Sequence, residues 1–412
     1  MQKSKRNNPV LYLTYDGLLD PLGGSQILPY LLGSMDSMTS IVIISFEKNN
    51  CMQKDQNDLT KLLKIHDVTW LPLKFSKNFG AISKVWDLVK LFIASSAYAI
   101  YYQPKLIHCR GHVTSLIGCW LKFIIRSKLL FDFRGLWVDE RVDKGGWDLS
   151  KSSDRKQYKL FKFLEKFSLK YSDHIVVLTN MVVSEIRRIS HKSLQEISVI
   201  PCCADYDLFR YPSNESKKKL KQRLQLPDDK IILGYHGSIG SMYRIDRFLK
   251  LIEIGATINN SVFGLVITRD TELLKKIIEN SLPERLHPLI KILSGTRDEM
   301  PFLLQAIDIS VSFIQPSYAR QASSPTKIAE SLALGIPVIC NAGVGDLDSQ
   351  INLIQGGKFV DYESDKSLTN IASDLHSIID LGGMRLRTES QKLFDLNHGI
   401  NAYKMIYNDC LR

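Results

Sequence analysis

The chain has 412 residues, of which 44% are hydrophobic and 24% charged, with a formal net charge of +11. That length exceeds one ordinary core and makes two domains the natural division. No apolar run approaches the ~20 residues that a bilayer-spanning helix needs, and the seven cysteines show neither a CxxC pair nor zinc-ligand spacing. They point to packing roles in a reducing, cytoplasmic compartment, while the excess positive charge keeps nucleic acid, anionic lipid and a phosphorylated substrate open as partners.

In chain order, the basic start Met1–Arg6 leads into Val10-Leu11-Tyr12-Leu13, which Asp16 ends; this run is too short for a signal-peptide core and reads as a first strand. Further strand-like runs fall at 41–46, 69–74, 106–110, 129–133, 174–179 and 197–201. Several, such as His174-Ile175-Val176-Val177-Leu178, are continuous rather than alternating, as in strands buried on both faces of a parallel sheet. Helical patterns of crossover length, 83–102 and 154–171, lie between them. The second half repeats this grammar, with strands expected at 230–235, 261–267, 289–293, 308–314, 336–340 and 357–361. A polar stretch holding Asp205, Asp207, Pro212 and Lys217-Lys218-Lys219 separates the halves. The predicted organisation is therefore a first doubly wound α/β domain over 1–205, a linker over 206–229, a second over 230–395 and a terminal helix over 396–412. In open parallel sheets ligands bind beyond the carboxyl ends of the strands, so two such Rossmann-like domains are expected to face a shared cleft.

Candidate residues should then follow strands, and they do. After the first strand come Asp16 to Gln26, including Gly23 and Gly24. By position these glycines suit either a loop at the site or a plain turn into a helix capped by Ser25. The fourth and fifth strands end in His108-Cys109-Arg110-Gly111-His112 and Phe131-Asp132-Phe133-Arg134-Gly135-Leu136-Trp137. Here Asp132 and Arg134 either pair with each other or meet a substrate, and Arg110 stands at the end of the neighbouring strand. The first strand of the second half runs into Gly234-Tyr235-His236-Gly237-Ser238-Ile239-Gly240-Ser241-Met242-Tyr243-Arg244, where Gly237 and Ser238 let backbone approach a phosphate and Arg244 supplies a cation.

The most informative segment is Ser323-Ser324-Pro325-Thr326-Lys327-Ile328-Ala329-Glu330-Ser331-Leu332-Ala333-Leu334-Gly335-Ile336-Pro337-Val338. Ser324 suits an N-cap, Pro325 the first helical position and Gly335 the position just past the helix. Ile328, Ala329, Leu332 and Ala333 form an inward stripe, whereas Lys327 and Glu330 share another face, toward the open end. A helix N-terminus with free N–H groups suits a diphosphate. Lys327 in the first turn opposes the helix dipole and so asks for an anion, and Glu330 one turn deeper suits neutral hydroxyls.

This segment resembles the donor-binding motif of family 4 glycosyltransferases, which have the GT-B fold of two Rossmann-like domains with a last helix that crosses back to the first. Their motif has two glutamates separated by seven residues; Glu330 matches the second, which in that family holds the nucleotide ribose, and Ala322 stands at the first, which touches the hexose. The resemblance implies retaining transfer of a hexosyl or N-acetylhexosaminyl group from a nucleotide-sugar to a glycan or lipid-linked acceptor, in surface polysaccharide or glycoconjugate synthesis. It implies donor contacts from Gly23, Gly24, Gly237, Ser238, Ser324, Thr326, Lys327, Glu330 and Gly343. Lys327, Arg244 and Arg134 would serve the chemistry, and Arg110, Asp132 and Arg134 would lie on the acceptor side. No cofactor is implied. Asp346-Leu347-Asp348 reads as a helix cap and not a metal site, so none of the site residues is assigned to a metal. Ile200-Pro201-Cys202-Cys203-Ala204-Asp205 resembles the hinge of the same family.

The basic pattern of 155–170, with Lys77, Lys84, Lys90, Lys122, Arg126 and Lys128 elsewhere in the first domain, suits peripheral contact with the inner face of an anionic membrane, or a stripe packed on its own sheet. Two other classes share part of the pattern: a sugar-nucleotide 2-epimerase of similar fold, and a nucleic-acid-binding protein, which would require exposed aromatics interleaved with basic residues on a recognised module. No such module is present in the sequence, and nucleic acid is not an expected partner.

Overall fold

A computed structural model describes residues 10–34, 40–48, 52–76, 81–258 and 261–412; Met1–Arg6 and Lys77 lie outside the described residues. The chain divides into two compact units, residues 1–201 with 397–412, and residues 202–396.

The first unit holds a parallel sheet of β1 (Val10–Thr14), β2 (Ile41–Glu47), β3 (Val68–Lys74), β4 (Leu106–Arg110), β5 (Lys128–Asp132), β6 (His174–Val177) and β7 (Ile197–Val199) in the order β3-β2-β1-β4-β5-β6-β7. The continuous apolar runs explain this. Every residue of β1 and β2 is buried, so both faces need cover, and crossover helices such as Ala81–Tyr102, His112–Ile125 and Ser152–Tyr171 supply it. One face packs Leu11, Leu13, Val42, Ile44, Ile107 and Leu129 together. Helix Leu396–Leu411 joins this unit from Asn397 onward. It packs Tyr403 and Tyr407 against His108, and the Tyr407 hydroxyl lies 2.7 Å from His108 Nδ1.

The second unit is built alike from β8 (Ile231–His236), β9 (Val262–Ile267), β10 (Ile290–Leu293), β11 (Ile309–Ser312), β12 (Val338–Cys340) and β13 (Gly357–Phe359), ordered β10-β9-β8-β11-β12-β13. Alternation along β8 shows burial on both sides: Ile232 enters one core cluster, while Ile231, Leu233 and Tyr235 enter the other. Burying each such side chain contributes ~1.5–3 kcal/mol. The strand order of each unit reverses beside its first strand, which defines the crevice where doubly wound sheets take ligands. In the second unit that reversal lies between β8 and β11.

The stretch read from composition as a linker, 206–229, contributes Tyr206, Phe209, Leu220 and Leu226 to the second core. Its helix Asn214–Arg223 is polar on every side except at Leu220, which is why composition hid it. Asp308 anchors that helix at the start of β11. Its carboxylate accepts the Ile232 N–H at 2.8 Å and pairs with Lys217 and Lys221, each at 2.8 Å. Burial opposes ionisation of Asp308, but the two ammonium groups outweigh it and hold its pKa below the usual carboxylate range. A depressed carboxylate stabilises the fold above its unfolded pKa, about 3.9, and that contribution is lost as pH falls through the folded value. Asp308→Asn is therefore expected to lower stability at neutral pH by about 1–3 kcal/mol, with the gap to wild type narrowing below pH ~4; urea unfolding midpoints across pH measure both.

Candidate functional site

The helix that begins the most informative segment runs Thr326–Ala333. Ile328, Ala329, Leu332 and Ala333 are buried in the core, as the stripe requires. Gly335 sits just past the helix at φ +69°, a conformation that favours glycine. The start differs from the sequence expectation. Pro325 occupies the N-cap and no side chain caps the helix; Ser324 Oγ instead accepts the Cys202 N–H at 3.0 Å. Thr326 is the first helical residue.

Lys327 does not point into open water. Its ammonium lies over the rings of Tyr243 and Tyr235, 3.8 and 4.6 Å from their centroids. It also lies beside Gly237, where an added Cβ would stand 3.7 Å from Nζ. The residue is half-buried but the amine is fully so, and among the described residues it has no hydrogen-bond partner. Ring faces return ~0.5–2 kcal/mol to a cation, less than desolvation costs an unpaired ammonium. Burial thus pulls the Lys327 pKa down to about 7, with Glu330 opposing the shift.

Glu330, one turn deeper, is 6% exposed. Oε1 accepts from Arg297, whose guanidinium also stacks 5.1 Å from the Phe209 ring centroid. Oε2 stands 3.7 Å from Nε2 of His236, the last residue of β8. Burial resists the carboxylate's ionisation, and His236 and Arg297 outweigh it, so Glu330 is held ionised below its ordinary pKa. Neither His236 ring nitrogen has a hydrogen-bond partner among the described residues. Arg297 and His236 are the partners that motif reading missed. Gly237 takes φ +110°, and the carbonyl of Ser238 accepts the Tyr235 hydroxyl at 2.7 Å. The crevice at the carboxyl end of β8 thus gathers Gly237, Ser238, Lys327, Glu330, His236 and Arg297.

Other sequence candidates take different places. Arg244 is engaged by Asp246 at 2.8 Å, by Glu363 and by the face of Tyr362, so its charge is already matched within its own surface cluster. Gly343 adopts φ +83° and donates its N–H to Asp348, at 3.2 Å. Asp346 precedes helix Leu347–Ile354 without a side-chain cap bond. Ala322 is buried within the 3-10 turn Tyr318–Ala322, so no carboxylate stands at the place of the first glutamate. Among the described residues no group of three His, Cys, Asp or Glu is placed to hold a metal.

In the first unit, Gly23 and Gly24 are helical and form no open loop. They lie within Pro21–Gln26, after Asp20 at the N-cap, and Ser25 returns its hydroxyl to the Pro21 carbonyl. A Cβ on Gly23 would stand 2.3 Å from the Gly17 carbonyl oxygen, so close packing explains that glycine. Arg110, Asp132 and Arg134 do come together at the carboxyl ends of β4 and β5. Asp132 lies 3.1 Å from Arg110 and 3.4 Å from Arg134. Although burial opposes it, Arg134, His108 and Arg110 hold the Asp132 carboxyl well below the usual range. Beside them His112, at the start of its helix, lies 2.9 Å from Glu165, which also pairs with Lys162.

The buried amine fixes the sign of one pH effect. Because the unfolded chain binds the Lys327 proton up to ~10.5 and the folded chain releases it near 7, stability should rise with pH between those values. Urea titrations should show this rise in wild type, and Lys327→Met should remove it; an identical pH slope in the variant would contradict the buried, unpaired amine.

Known proteins bear on this geometry. Residues 216–379 match the family model described as glycosyl transferases group 1. No curated protein matches the chain by sequence. Among solved structures, sucrose-phosphate synthase from Thermosynechococcus elongatus is 18% identical with a TM-score of 0.72, covering 98% of this chain and 99% of that one. HepE of Anabaena, in complex with UDP and glucose, is 14% identical with a TM-score of 0.70, covering 98% and 100%. A UDP-N-acetylglucosamine 2-epimerase described from Listeria monocytogenes lies further off, at 11% identity and a TM-score of 0.56 over 96% and 94%. The family match falls on the unit that carries Lys327 and Glu330 and supports a glycosyltransferase; with two parallel sheets ordered as described and likeness over the full chain, the protein has the GT-B glycosyltransferase fold.

Proposed function

We propose that the chain is a retaining glycosyltransferase of the family 4 type, which moves a hexosyl or N-acetylhexosaminyl group from a nucleotide-sugar to a glycan or lipid-linked acceptor. On this reading it works in the cytoplasm, in surface polysaccharide or glycoconjugate synthesis, without metal or cofactor. The observation that carries the proposal is the unpartnered Lys327 amine beside Gly237 at the start of helix Thr326–Ala333, with ionised Glu330 one turn deeper. A diphosphate there would meet the Lys327 amine, the free N–H groups of the first turn and the backbone at Gly237 and Ser238. Ribose hydroxyls would donate to Glu330 through Oε2, since Oε1 is taken by Arg297.

As the bond to the anomeric carbon breaks, charge grows on the leaving diphosphate, and a preorganised cation at that point is the large electrostatic term. Lys327 carries this role, because Arg244 is held by Asp246 and Glu363. Arg134, Arg110 and Asp132 are assigned to the acceptor side. HepE was solved with UDP and glucose, and UDP-glucose is accordingly among the first donors to try. Epimerisation is the second reading, supported by the epimerase likeness; donor incubated with water alone separates the two, since only an epimerase then yields an isomeric nucleotide-sugar.

Thermal-shift screening against UDP-, GDP- and dTDP-sugars should raise the melting temperature with one nucleotide class; no shift with any of them would sink the proposal. Glu330→Gln, which keeps the shape around Arg297, is expected to weaken donor binding by about 10–100-fold. Lys327→Ala should lower kcat by about 10²–10³-fold, and a loss confined to acceptor affinity would contradict its role. Since the amine titrates near 7, nucleotide binding at pH 8 should take up close to one proton, seen by calorimetry in buffers of different ionisation enthalpy and absent in Lys327→Met.

A further inference from the structure

The first unit carries an apolar surface that nothing in the nucleotide crevice uses. Helix Ala81–Tyr102 leaves Trp86, Ile93 and Tyr101 exposed, at 57%, 60% and 79%, and helix His112–Ile125 leaves Trp120, Phe123 and Ile124 exposed, at 55%, 57% and 52%. The two helices form one face, because the Phe92 and Trp120 rings lie 6.1 Å apart. That face continues to the end of helix Ser152–Tyr171, where Phe123 lies 5.6 Å from Tyr171. Isolated exposed apolar residues are ordinary; a contiguous set of tryptophans and branched aliphatics on neighbouring helices is not, and it marks an interaction surface.

The charges around this face decide what covers it. Helix His112–Ile125 contains no acidic residue, and the sole acid of Ala81–Tyr102, Asp87, is buried and bonded to Ser76 and paired with Lys90. Cations frame the apolar set: Lys84, Arg126, Lys128, Lys166 and Lys170 are exposed. Two acids lie near Lys128 at this rim, Asp173, which pairs with Lys122 and Lys128, and Asp409, which pairs with Arg412. Two copies of this face brought together would oppose like charges, which disfavours self-association. Aromatics that prefer a polar–apolar boundary, ringed by Lys and Arg, match the headgroup region of an anionic bilayer, where each basic residue contributes about 1 kcal/mol. The chain would lie on the bilayer and not cross it: among the described residues no helix is long and apolar enough to span.

We propose that the face formed by helices Ala81–Tyr102 and His112–Ile125, extended by the basic end of Ser152–Tyr171, docks the protein on an anionic lipid bilayer. This differs from an amphipathic anchor in Ser152–Tyr171 itself. That helix directs Phe161 toward Trp137 and Trp147 and ties Lys162 to Asp139 and Glu165, so much of it is committed to its own unit. The inference stands independently of the sugar-transfer reading, since it uses none of the donor residues.

Sedimentation of the full chain with vesicles of phosphatidylcholine alone, and with about one-third phosphatidylglycerol added, tests it. Wild type should pellet with the anionic vesicles, less so at raised salt, and its tryptophan emission should shift to the blue. Trp86→Ser/Trp120→Ser/Phe123→Ser and, separately, Lys84→Glu/Arg126→Glu should each weaken binding by about tenfold or more. The substituted residues are exposed, so circular dichroism and nucleotide thermal shifts should match wild type. Absence of wild-type binding, equal binding to neutral vesicles, or binding unchanged in the triple variant would overturn the proposal. So would a wild-type dimer in analytical ultracentrifugation that the triple variant converts to monomer while vesicles go unbound.

Discussion

Everything specific about the second unit depends on the reversal of strand order between β8 and β11. Parallel strands on either side of that point send their connections to opposite faces of the sheet, so the carboxyl ends of β8 and β11 open into a crevice that no crossover helix fills. His236 and Gly237 sit there because β8 ends there, and the start of Thr326–Ala333 arrives from the β11 side to meet them. The apolar stripe of that helix is fixed in the core, and this fixes the azimuth of Lys327 and Glu330. Fold and site are thus set by one packing decision.

Within the crevice two charges are handled in opposite ways. Glu330 is buried but surrounded by Arg297 and His236, so it keeps its charge. Among the described residues no carboxylate or carbonyl accepts from Lys327, which is buried against ring faces, and its pKa is pulled down to about 7. The first unit contrasts with this: buried Asp132 is shared by Arg110 and Arg134 at the ends of β4 and β5.

The strands were legible because continuous Val/Ile/Leu runs in a parallel sheet have few other uses, and each run expected in the sequence became a strand close to its stated bounds. The Ser324–Glu330 segment was legible as a helix start followed by a charged face. What sequence could not supply were partners distant along the chain: Arg297 reaches Glu330 from 33 residues away, and Arg244 is claimed by Glu363 from 119 residues away. The N-cap expectation for Ser324 fails for the same reason, since a capping serine and one that accepts from Cys202, 122 residues earlier, look alike locally. The stretch 206–229 was hidden by composition, because a helix that buries one leucine has the residue content of a linker.

The pairing of Tyr407 with His108 also bears on the order of assembly. Pocket walls of the first unit come from Tyr12, His108 and Asp132 on early strands and from Tyr403 and Tyr407 near residue 400. During synthesis the first unit must therefore wait, with His108 and its neighbours uncovered, while the whole of residues 202–396 is made and begins to fold. The first unit is thus completed by residues 397–412, which are made only after all of residues 202–396.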